Sequence, residues 1–181
     1  MHVLRILPLL LALILTFGAV FPAGAADMGV SKADFIKRFN AQGNQAGLPA
    51  LPAKPMQEDK KQDGVGPLTI SVHAIGTLVV MLQTYDDKPD AVASLALFNQ
   101  IGGPPENDVA TMIAVDSVFA ALMPKMQAKD RAEVKNALGL GKGVQGAVAD
   151  GKKRERTVGN IRFVSGSREG SLTLAAYPAK R

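Results

Sequence analysis

The sequence predicts an α+β domain, with an antiparallel sheet of about five strands in two blocks packed against an N-terminal helix and a central helix pair. Three observations carry that expectation. Residues 68–74 alternate apolar and polar with a period of two. Residues 109–123, "VATMIAVDSVFAALM", run for a helix's length with Asp116 as their single charge. From residue 161 onward the period-two pattern returns, so strands and helices come in runs rather than in strict alternation.

The chain opens on a basic pentapeptide, "MHVLR", then an apolar run, "ILPLLLALILTFGAVF", then "AGA" at 23–25. That order is the pattern of a cleaved secretory signal over residues 1–25, with cutting after Ala25 or Ala26 fitting equally well. The run is broken by Pro8 and Gly18 and falls short of the ~20 residues a bilayer-spanning helix needs. The alternative is an uncleaved N-terminal helix that anchors the protein. No Cys stands near the cut to take a lipid. Residues 26–181 are then expected to form a single α+β domain.

Ser31 is placed to cap a helix over about 32–42, with Asp34 three residues on and Phe35, Ile36 and Phe39 as its apolar stripe. Gly43 suits its end. A Pro-rich loop is expected over about 43–67, because Pro49, Pro52, Pro55 and Pro67 lack a backbone donor. "PLTISVHA" is expected as a half-buried strand, Leu68, Ile70, Val72 and Ala74 inward and Thr69, Ser71 and His73 outward. "TLVVMLQTY" continues the sheet, "AVASLALF" reads as a third strand with a short helix as the alternative, and "YDDKPD" turns between them. After "IGGPPEND", Pro105 is suited to start the long apolar helix, which ends near Pro124. On that helix Val109, Met112, Ile113, Phe119, Ala120 and Met123 share a face, with Asp116 near its middle. A second helix is expected from Asp130, where "DRAE" reads as a capping box, to Gly139. Ile161 and Phe163 mark one further strand, Leu172, Leu174 and Ala176 another, and "SGSREGS" a polar hairpin loop between them.

Little in the chain resembles chemistry. Cys is absent and only His2 and His73 are present, which removes disulfides, thiolate nucleophiles and the usual zinc sites. A buried carboxylate needs a partner or a proton, so Asp116 is expected to be structural, with Arg162 and His73 as conceivable partners. His73 shares a strand face with Ser71, but no oriented nucleophile accompanies them. "GLGKG" at 139–143 misses the phosphate-loop spacing, since position 136 is Asn and Gly143 follows the lysine; a helix end explains its glycines better. "YDDKPD" offers Asp86, Asp87 and Asp90, yet Lys88 interrupts the alternate acids a calcium loop requires.

Charge is the remaining signal. Residues 26–124 carry seven Lys and Arg against eleven Asp and Glu, whereas residues 125–181 carry thirteen against five. The densest run is "GKKRER", with Lys152, Lys153, Arg154 and Arg156 around Glu155. Such asymmetry marks an anionic partner or complementary surfaces within one domain. The export signal and the lack of aromatic-studded basic motifs argue against nucleic acid. The expectation is a small exported protein, periplasmic or extracellular, that is a non-enzymatic binding or accessory module of the cell envelope. Its partner would be another envelope protein or an anionic surface, met by Lys152, Lys153, Arg154 and Arg156. No cofactor and no stable membrane insertion after signal cleavage are expected. The alternative is an exported hydrolase using Asp116 with His73.

Overall fold

A computed structural model describes residues 26–100, 105–168 and 171–179; the leader expected over residues 1–25 lies outside them. Helix α1 spans Lys32–Gln45. Ser31 caps it as the sequence suggests, its Oγ accepting from the backbone N–H of Asp34 at 3.0 Å. Gly43, expected at the helix end, is instead buried within it. A Cβ there would stand 3.2 Å from Leu48 Cδ2 and 3.3 Å from Ser117 Oγ, so Gly43 permits a close approach of α1 to the long apolar helix.

Seven described strands form one antiparallel sheet, more than the expected five or so, and they come in two blocks along the chain as expected. They are β1 (Gln57–Gln62), β2 (Pro67–Ile75), β3 (Leu78–Tyr85), β4 (Ser94–Gln100), β5 (Arg154–Val158), β6 (Ile161–Arg168) and β7 (Ser171–Pro178), ordered β1-β2-β3-β4-β7-β6-β5. Among the described residues four helices accompany them: α1, α2 (Pro105–Leu122), α3 (Ala128–Ala137) and α4 (Gly143–Asp150). The class is α+β. Each half of the domain is helical first and then an antiparallel meander, and the last strands of the two meanders, β4 and β7, pair at the centre.

Three sequence expectations are corrected. The Pro-rich loop contains β1, whose charged sequence QEDKKQ pairs with β2 from Gln57↔Val72 to Gln62↔Pro67. It is an edge strand, and charged side chains are what keep an edge from pairing with another chain. The second central helix starts at Ala128 rather than Asp130; Gln127 holds the cap position without a side-chain bond, and Asp130 lies in the first turn. The glycines after it end the helix as expected, Gly139 at φ +75° following the Leu138 cap, but the chain then enters an additional helix, α4, which was not expected.

β2 is also buried more completely than expected. Its supposedly outward residues Ser71 and His73 are fully buried, and Ile75 beyond them joins the main core. Both faces of β2 are covered: Leu68, Ile70 and Val72 are buried as expected, and the polar side, expected outward, turns toward the helices. Leu68, Ile70 and Val72 contribute to a second cluster with Met81, Tyr85, Ala93 and Phe98 on the other face. The main core lies between the sheet and the helices, around the fully buried Phe35, Phe39, Phe119 and Phe163. Phe35 and Phe39 stack along α1 at 5.9 Å, and Phe119 of α2 meets Phe163 of β6 at 4.8 Å. Both separations lie in the range of favourable ring pairs.

Candidate functional site

The long apolar helix answers the question of its single charge. Its buried face is Thr111, Ala114, Val115, Val118, Phe119 and Leu122, not the face on which Asp116 is central; Val109, expected inward, is 62% exposed. Asp116 flanks that buried face and takes the ammonium of Lys135 from α3, with Nζ 2.8 Å from Oδ1 and 2.9 Å from Oδ2. The partner is therefore Lys135, and neither Arg162 nor His73. Lys135 stands in the last turn of α3, where a cation is also favoured by the helix dipole.

His73 has a different neighbourhood. Its Nδ1 lies 2.8 Å from the carbonyl oxygen of Pro52, in the segment between α1 and β1. Ser71, on the same strand face, donates to Glu58 Oε1 at 3.0 Å, and Lys32 Nζ stands 3.6 Å from that carboxylate. Burial pushes the His73 imidazole below its usual range; the Pro52 carbonyl opposes that, nearby Lys32 reinforces it and Glu58 opposes it. Asp116 and His73 share no partner. The pair that the hydrolase alternative requires is not a hydrogen-bonded unit.

The "YDDKPD" acids are dispersed. Asp86 accepts from Thr69 Oγ1 at 3.2 Å and faces Lys60 at 3.7 Å, and Asp90 gives its carbonyl to the N–H of Lys32 at 2.7 Å. Among the described residues no three His, Cys, Asp or Glu side chains converge as metal ligands.

The basic run lies at the far end of the sheet. α4 stops at Gly151, whose left-handed φ of +63° lets its N–H reach back to the carbonyls of Ala147 and Val148. Lys152 and Lys153 form the connection, and Arg154 and Arg156 are the first and third residues of the edge strand β5. Opposite them on β6 are Ser165 and Phe163, which face the helices, so both arginines project along the helix side of the sheet. The stem of Arg154 crosses Gly139, where a Cβ would stand 2.9 Å from its Cδ. That contact gives Gly139 a second reason to lack a side chain.

The run is partly neutralised by its own acids. Asp150 accepts from Arg154 Nε at 3.1 Å and from its terminal nitrogen, and Lys152 Nζ lies 3.7 Å away. The Arg154 guanidinium holds the Asp150 carboxyl below the usual carboxylate range, with smaller help from Lys152. Glu155, on the other face of β5, pairs with Arg162 of β6, whose guanidinium lies 5.5 Å from the Tyr177 ring centre. Arg156 is exposed and enters no ion pair among the described residues. Beside the run is a shallow depression lined by Leu138, Ala147, Asp150, Lys152, Arg154 and Leu172, which encloses essentially no volume and is not a small-molecule pocket. What this surface offers is positive charge at a sheet edge.

Comparison of the chain with family models, curated proteins and solved structures returns no match to any of the three. Sequence reasoning located the basic run but missed Asp150 and Glu155 as its internal counter-ions. Their spacing at i,i+4 and across a hairpin becomes visible only once α4 and β5 are known.

Proposed function

We propose that this protein is a small exported binding or accessory module of the cell envelope that captures an acidic partner through Lys152, Lys153, Arg154 and Arg156. The observation that carries this reading is the placement of the run. It lies on a sheet edge within the strongly basic C-terminal third, and Arg156 is exposed there with no acid paired to it among the described residues. The internal acids Asp150 and Glu155 hold Arg154 and Arg162 in fixed orientation, which lowers the entropy lost when a partner carboxylate is met. Export follows from the leader pattern over residues 1–25, and the address is the periplasm or the extracellular space.

The test uses natively expressed protein with a photo-crosslinking residue at the exposed position 157, beside Arg156, and, as control, at the exposed position 109. Capture of an acidic envelope protein from position 157 and not from 109 is the expected result. Equal capture from both positions, or capture only of cytosolic proteins, rejects the reading. Intact mass of the same material is expected to lack residues 1–25 or 1–26; a chain that retains them removes the envelope address.

A further inference from the structure

His73 is fully buried, and its Nε2 has no hydrogen-bond partner, which sets it apart from nearly every other buried side-chain polar atom described. Its Nδ1 is committed to the Pro52 carbonyl at 2.8 Å. That contact is a hydrogen bond only when Nδ1 carries the proton, so in the neutral ring Nε2 is a bare lone pair facing no donor. A neutral imidazole tolerates that arrangement. A doubly protonated ring does not, because its second N–H would be buried without an acceptor.

The segment that His73 holds is anchored on both sides of Pro52. Leu48 and Leu51 are buried in the main core, and Asn40 of α1 clamps Leu51 through Nδ2 to its carbonyl at 2.9 Å and Oδ1 from its N–H at 2.6 Å. Beyond Pro52 the chain rejoins the sheet through the N–H of Met56 to Val72 O at 2.7 Å and continues as the charged edge strand β1. The charged groups that act on His73 are Lys32 of α1 and Glu58 of β1, and its cross-strand neighbour on β3 is the apolar Val80. Glu58 already accepts from Ser71 and faces Lys32, so it is not placed as the acceptor of a new Nε2 proton.

We propose that His73 is a pH-sensitive latch: neutral, it fastens the 48–56 segment and β1 to the sheet; protonated, it releases them while α1, α2 and the central strands stay folded. The released form presents Leu48, Leu51 and the outer edge of β2. In an exported protein this couples the shape of one sheet edge to the acidity of the surroundings. The inference stands on the geometry of His73 alone and does not depend on the basic run.

The test is amide hydrogen exchange of the full chain at pH 7.5 and pH 5.0, corrected for intrinsic exchange. Protection over residues 48–62 is expected to fall roughly tenfold at pH 5.0, below the ceiling of about 30-fold at which an unhindered imidazole of pKa about 6.5 favours its protonated form. Protection in α2 and β7 is expected to hold. His73→Asn keeps a donor near the Nδ1 position and removes the titration, so its protection over the same residues is expected not to change with pH. Three results overturn the latch: a change under about threefold in the wild type, an equal loss throughout the protein, or the same acid dependence in His73→Asn, which would assign it to Glu58 or another carboxylate. Should that variant not fold, the ring signals of the wild type decide, His2 being the only other histidine. A neutral ring protonated at Nδ1 and titrating below its ordinary value sustains the proposal. Protonation at Nε2, or titration at or above that value, ends it.

Discussion

Asp116 shows how a single charge on a greasy helix is kept without being a working group. Two ammonium contacts from Lys135 satisfy both its oxygens, and each side chain retains partial exposure, 34% for Asp116 and 21% for Lys135. For a pair so placed, the expected cost of Asp116→Asn is about 0.5–1 kcal/mol, the upper part of the range for ion pairs open to solvent. Urea unfolding of the variant against the wild type checks this; a loss above ~3 kcal/mol would mean that the carboxylate is held by more than Lys135. His73 is the opposite case, a titratable group with almost no solvent. Its folded-state value lies below the unperturbed 6.5, so the unfolded chain binds the proton more readily. The stability it contributes is therefore complete above about pH 6.5 and declines as the pH falls below that value.

At the scale of elements, legibility followed local rules. α1 began where Ser31 and Asp34 said it would, β2 was visible by its period of two and β3 by its β-branched apolar run, while the β4 segment fitted a short helix almost as well. Three elements were obscured for physical reasons. β1 is an edge strand made of charged residues, and composition alone cannot tell such a strand from a loop. α4 begins at a glycine and has no side-chain cap, so the usual start signals are absent. α2 is apolar on most sides, so no single stripe distinguishes its buried face, and Val109 was assigned inward although it is exposed. Gly43 was read as a terminator for lack of any way to see α2 against it. Its packing role has a direct test. Gly43→Leu would drive a side chain into Leu48 and Ser117, and the expected destabilisation is roughly 1–3 kcal/mol, measured by thermal or urea unfolding. An unchanged stability would contradict the close approach of α1 and α2.

At the scale of the whole molecule, the two halves repeat one plan, helical and then meander, with no repeat legible in the sequence. The charge does differ: the acidic balance of residues 26–124 and the basic balance of residues 125–181 fall on the two ends of one sheet, with β1 at one edge and β5 at the other. The proposed function rests on the basic end, and on its lying outside the packing that holds the fold. Lys152, Lys153 and Arg156 are exposed, and Arg154, half-buried, crosses Gly139 and pairs with Asp150 outside both core clusters, so changing all four to Ser should leave the domain folded. The most direct measurement is therefore a binding titration of wild type and this quadruple variant with a glutamate-rich peptide, at about 0.1 M and about 1 M salt, where the screening length falls from ~10 to ~3 Å. The account predicts that the wild type binds at least about tenfold more tightly at low salt, that the excess disappears at high salt, and that both proteins unfold alike. Equal affinity with equal salt dependence in the two proteins would contradict it.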